Sequence, residues 1–192
     1  MAGAVIIGSV FLISSCGDGS TADSQLSDST KDAKEVAQDQ NEQKFDSTAM
    51  KDDVDFAVKA ADGGMLEVEL GKLALQNAAS SRVKDFGQMM VDDHSKANAE
   101  LKQTAMQKNI TLPAAMSDKC QKMYADLSKK KGKDFDKAYM SAMVDDHKDD
   151  VDEFKKEADN GKDADLKSWA AGKVPVLQHH LDVAQNVKDS IK

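Results

Sequence analysis

Met90-Val91-Asp92-Asp93-His94 and Met143-Val144-Asp145-Asp146-His147 are one five-residue string, met twice in the same chain. Each copy lies inside a long stretch of helical periodicity. At about 100° per residue, His94 shares an arc with Val83, Met90, Leu101 and Ala105. His147 shares the matching arc with Met140, Met143, Val151, Phe154 and Ala158. The pattern predicts two long helices, each turning an imidazole into an apolar core. Asp93 and Asp146 fall off these arcs, and the expectation for both is helix capping or contact with solvent.

The surrounding chain supports long helices. Only two prolines, Pro113 and Pro175, occur in 192 residues, among runs of Ala, Leu, Lys, Asp, Gln and Met. The predicted order is a helix over residues 53–79, a Ser80-Ser81 link with an N-cap hydroxyl, and a helix over 82–108. A break at 109–113 is followed by a short helix over 115–128 and a helix over 134–159 closed by Asn160-Gly161. A last helix over 163–191 contains Pro175, which is expected to kink it or to break off its first third. Two antiparallel helix pairs joined by a long crossover make an all-α, ferritin-like four-helix bundle, with a short helix in the crossover between helices two and three. An up-down-up-down bundle with a decorated loop would use the same helices.

Each long helix offers one inward polar group: Glu67, His94, His147 and His180. His179, one residue from His180, falls on the wet face with Ser168, Asp182 and Asn186. Gly63 and Gly71 lie one turn either side of Glu67. A helical glycine costs about 1 kcal/mol relative to alanine, so both are expected to clear space around that carboxylate or to admit a neighbouring backbone. Two readings of the four groups stand side by side. One is a mononuclear Glu/His₃ site for a transition metal, since imidazole suits Zn, Cu, Fe or Ni and a carboxylate suits Zn or Fe. The other is a buried cluster of hydrogen bonds and ion pairs that fixes helix register. Met90 and Met143, one turn before their histidines, would suit Cu(I) as thioether donors or serve as core filler.

Other chemistries find no support. The formal net charge of −8 argues against nucleic acid. No nucleophile–base pair, Gly-rich phosphate loop or Cys/His zinc pattern occurs, so the reading leans away from an enzyme. Cys16 and Cys120 occupy different contexts and form no disulfide framework. Cys120 reads as a small residue on the connecting helix.

The N-terminal residues read as an export device. Residues 2–15 are apolar or small, too few to span a bilayer, and end at Leu12-Ile13-Ser14-Ser15-Cys16-Gly17. This ending resembles a bacterial lipoprotein signal whose cysteine is lipidated, although no Lys or Arg precedes the apolar run. Residues 1–16 are therefore expected to be a signal peptide with Cys16 as the acylated residue. Residues 17–51, rich in Ser, Asp, Gln and Thr, are expected to be a disordered tether, with a transient turn at 33–36. Residues 52–192 are expected to form the bundle. The partner this implies is the membrane, reached through the lipid, at the bacterial cell envelope. Protein partners are not indicated.

Taken together, the chain resembles a bacterial family of exported or outer-membrane proteins, domain-of-unknown-function family 4142. The resemblance is carried by Phe56 with Gly63-Gly64-Met65-Leu66-Glu67, by Val83-Lys84-Asp85-Phe86 with Met89-Met90-Val91-Asp92-Asp93-His94, and by Leu112-Pro113. Phe135-Asp136, Tyr139, His147 and Val174-Pro175-Val176-Leu177-Gln178-His179-His180-Leu181 complete it. It implies a ferritin-like helical fold, usually with an export signal, and no established activity. Di-iron bundles of that fold carry Glu-x-x-His motifs. Here the residues three before His94, His147 and His180 are Val91, Val144 and Leu177, so di-iron oxidation chemistry is not carried over.

Overall fold

Every regular element among the described residues is a helix. The computed structural model describes residues 31–46 and 49–191. They form α1 (Ala33–Phe45), α2 (Lys51–Asn77), α3 (Ser81–Gln107), α4 (Asp118–Ser128), α5 (Gly132–Asn160) and α6 (Ala164–Ser190). The four long helices have 27 to 29 residues, about 40 Å each. They pack as two intimate pairs, α2 with α3 and α5 with α6, and α4 lies in the connection between the pairs. None of the described helices is long and apolar enough to cross a membrane.

The helix ends follow local chemistry. Asn109, at φ 57°, takes the left-handed conformation that closes α3. Asp163 caps α6 by accepting the Asp165 and Leu166 N–H groups. Ser117 caps α4, so that helix starts at Asp118 rather than 115. Ser80 is the N-cap of α3, but its hydroxyl makes no capping bond. α6 runs unbroken through Pro175, whose ring is exposed, so the first third does not separate from the rest.

Three buried aspartates tie distant links to the helices. Asp136 of α5 accepts the Ala79 and Ser80 N–H groups at 3.1 and 2.9 Å, holding the α2–α3 turn. Asp53 of α2 accepts the N–H groups of Lys162 and Asp163, holding the α5–α6 turn. Asp62 of α2 accepts both the N–H and the hydroxyl of Ser117 at 2.8 Å. Each carboxylate satisfies link donors that would otherwise be orphaned.

The α2–α3 pair meets backbone to backbone. A Cβ on Gly71 would stand 2.6 Å from the Gly87 carbonyl oxygen, and one on Gly87 would stand 2.9 Å from that of Gly71. The expected close approach therefore occurs at Gly71. At Gly63 a Cβ would meet nothing, and it is Gly64 that Asn98 crowds.

Part of the expected tether is folded. α1 opens with a capping box in which Asp32 accepts the Lys34 and Glu35 N–H groups. A second oxygen of Asp32 accepts the Asp118 N–H at the start of α4. The buried Asn41 side chain donates to the Thr111 carbonyl at 2.7 Å and accepts the Thr111 N–H at 2.8 Å. Lys34 pairs with Asp62 at 3.2 Å. The helix buries only Ala37 and Asn41, so it docks through polar clamps. An argument from apolar content could not register it. Residues 1–16, and with them the lipidation expected at Cys16, lie outside the described residues.

The core is layered. An apolar cluster built on Leu66, Leu70, Phe86, Met90, Phe135, Tyr139, Met143, Leu181 and Ala184 fills one end. Clusters on Val54, Leu101 and Leu166 and on Phe56, Val151, Phe154 and Leu177 fill the other. Each long helix carries a buried polar residue where the apolar runs meet: Glu67, with Asp62 before it, His94, His147 or His180.

Candidate metal centre

Four mid-helix positions at a common height bring these side chains into one layer. His94, His147 and His180 form a near-equilateral triangle, with ring centroids 5.7, 5.2 and 5.4 Å apart. One nitrogen from each ring lies within 4.8 Å of the others. Glu67, Asp146 and His147 form a second group with the same spacing. The structure thus brings together all four groups picked out by helical phase, but Glu67 stands to one side of the triangle.

Each ring is held through one nitrogen. His94 Nδ1 lies 2.7 Å from Glu67 Oε2. His147 Nδ1 lies 3.0 Å from the Met143 carbonyl oxygen, to which it can only donate. His180 Nε2 lies 2.9 Å from Asp93 Oδ2. The other nitrogen of each ring, His94 Nε2, His147 Nε2 and His180 Nδ1, is buried and makes no hydrogen bond. Glu67 Oε1, Asp146 Oδ2 and the Tyr139 hydroxyl are buried and unbonded as well. Glu67 Oε1 faces His147 Nε2 at 3.3 Å without bonding it. Buried polar atoms are normally satisfied. Six orphans around one layer therefore set it apart from the apolar core on either side.

Burial sets the charge states. It holds His94 and His180 down to about 4 and His147 down to about 3. Around His147 the neighbouring rings of His94 and His180 add to the effect. The rings are therefore neutral at pH 7, the form in which imidazole ligates. Burial also pushes Glu67 well above the ordinary carboxylate range, with the Asp146 charge adding to it, and lifts Asp146 to about 6. Burial therefore favours the uncharged form of both partners in the His94–Glu67 contact.

The donor set fits one transition-metal ion. A tetrahedral ion bound at about 2.0–2.1 Å places its nitrogen donors about 3.3 Å apart, so rings whose nitrogens lie within 4.8 Å of one another would close on it. Metal-bound imidazoles ordinarily pass their second nitrogen to a carboxylate or a backbone carbonyl, and each ring here has such a partner in place: Glu67, the Met143 carbonyl or Asp93. A clustered His/Glu site capable of coordinating a single transition-metal ion is present.

The roles expected for the two aspartates need correction. Asp93 is 46% exposed, yet its carboxylate is the partner of His180. Asp146 turns a buried oxygen toward Glu67 and His147 instead of facing solvent. Phase alone misses them because a residue 100° from the inward arc still reaches a neighbouring helix. The recurrence of Asp-Asp-His in both copies was the available signal. His179 is exposed, as its phase requires. Met90 and Met143 are fully buried in the apolar cluster, and Met143 serves the site through its carbonyl. Cys120 is a buried thiol on α4, raised to about 11 by burial.

Comparison with known proteins returned no match among curated proteins and none among solved structures. A family model does match, over residues 23–187, which takes in α1, the crossover and all four helices that carry the site. The chain belongs to the family described as domain of unknown function DUF4142.

Proposed function

We propose that the domain binds a single transition-metal ion through His94 Nε2, His147 Nε2 and His180 Nδ1, with Glu67 beside it. One observation carries this reading: each ring is tethered by one nitrogen while its other nitrogen is buried and unbonded. A cluster serving only helix register would satisfy its members with one another, because each unsatisfied buried group costs about 1–3 kcal/mol. Three neutral imidazoles suit Zn, Cu or Fe, and zinc accepts three histidines with a fourth position left over.

The two helix pairs and the α4 connection support a ferritin-like four-helix bundle as the finer description of the fold. The lipoprotein-like ending at Cys16 supports a lipid-anchored protein of the bacterial cell envelope, with the membrane as its first partner. The test of the metal reading is direct. Untagged protein stripped with chelator and reloaded should take up one equivalent of Zn²⁺, Cu²⁺ or Fe²⁺ by elemental analysis. The His94→Ala, His147→Ala and His180→Ala proteins should each lose it. Retention of stoichiometric metal by the His147→Ala protein would rule out this site.

A further inference from the structure

The wall around the polar layer is open on one side. Between α3 and α6 a cavity of about 100 Å³ is lined by Asp93, His94, Lys96, Lys173, Val176 and His180, among others. That is room for a few water molecules, each of which occupies about 30 Å³ in the liquid. Two of the three unbonded ring nitrogens belong to residues of this wall, while His147 and Glu67 lie away from it.

Glu67 is poorly placed to close the fourth position. Its Oε2 is engaged with His94 Nδ1 at 2.7 Å. Its spacing groups it with Asp146 and His147, outside the histidine triangle. The charged groups of the cavity are also committed. Asp93 holds His180, and Lys173 pairs with Glu100 at 2.5 Å. The mouth therefore presents the Lys96 ammonium, the Lys173 ammonium paired with Glu100, and the Asp93 carboxylate already bonded to a ring.

We propose that the metal held by the three histidines keeps a coordination position open toward this cavity, and that small anions of two or three atoms enter there past Lys96 and Lys173. The inference rests on the metal reading above and adds to it an exchangeable ligand of defined size and charge. Such a site binds or transforms a small molecule; a closed tetrahedron of protein donors only braces the fold.

Cobalt and azide separate the two ideas. Co²⁺ bound to the stripped protein should give d–d absorption in the visible, and titration with azide should shift those bands to saturation at one equivalent per cobalt. Val176→Phe fills the cavity, and so does Ala97→Leu from the opposite wall. Either variant should keep Co²⁺ binding while weakening azide at least about tenfold. Absence of cobalt uptake overturns the metal reading and this proposal with it. Cobalt bands that azide leaves unmoved overturn this proposal alone, and show a closed site. Undiminished azide binding in both filled variants overturns the route through this cavity.

Discussion

Asp93 Oδ2 and His180 Nε2 stand 2.9 Å apart, joining α3 to α6 at the edge of the polar layer. The ring is 1% exposed and the carboxylate 46%, so a surface acid fixes the orientation of a buried base. With Nε2 engaged, His180 can present only Nδ1 to the centre of the triangle.

Removing that acid should loosen the ligand without removing it. Asp93→Ala should weaken metal binding about 10- to 100-fold, the usual cost of losing such an outer partner, with little change in the helical signal. Competition with a chelator of known affinity measures this. An unchanged affinity would mean that packing alone orients His180.

Adjacent histidines should behave oppositely. His180→Ala should abolish stoichiometric metal and the thermal stabilisation that metal confers. His179→Ala, on the exposed face, should change stability by no more than about 0.5 kcal/mol and leave the metal in place. Melting curves with and without added Zn²⁺ compare the two directly.

Glycine replacement should distinguish contact from open space. Gly71→Ala drives a methyl against the Gly87 carbonyl and should cost about 1–3 kcal/mol. Gly63→Ala meets nothing and should stabilise by about 0.5–1 kcal/mol through helix propensity. Urea midpoints at constant slope report both signs.

Glu157 predicts a decline in stability from mildly acidic to neutral pH. Burial, followed by the charges of Asp53 and Asp163, raises its carboxyl to about 7. Between the unfolded value near 4.5 and about 7, the folded chain keeps a proton that the unfolded chain releases. The stability this group contributes is therefore full below about pH 4.5 and is lost as pH rises through about 7. Discounted for nearby water, the loss is on the order of 1 kcal/mol. Glu157→Gln should be more stable than the parent at pH 8 and nearly equal to it at pH 5. Parallel urea titrations at the two pH values would expose a wrong sign.

Helical phase was enough to find Glu67, His94, His147 and His180, because a 100° step assigns each residue a face. It also separated His179 from His180. Their common height followed from position: each lies near the middle of a helix of 27 to 29 residues. What phase could not supply was reach across a boundary. Asp93 and Asp146 lie 100° from the inward arc and still touch the site from the flank. Periodicity could not assign the link-binding roles of Asp53, Asp62 and Asp136 either, since a carboxylate that accepts N–H groups from some 55 to 110 residues away obeys no period. Gly63 clears space beside Glu67 but admits no neighbouring backbone, while the Asn98 side chain crowds Gly64, which phase did not single out.

The polar docking of α1 shortens the leash. Asp32 is pinned both to the start of α1 and to the start of α4. A chain anchored at Cys16, as proposed, therefore has about 15 residues between the lipid and this pinned aspartate. Fully extended, these reach at most about 50 Å, whatever conformation they adopt. A tether running to residue 51 would have reached more than about 110 Å. With the proposed anchor and the proposed metal both in place, the polar layer would stay within a shell close to the bilayer, and any small ligand would be drawn from that shell.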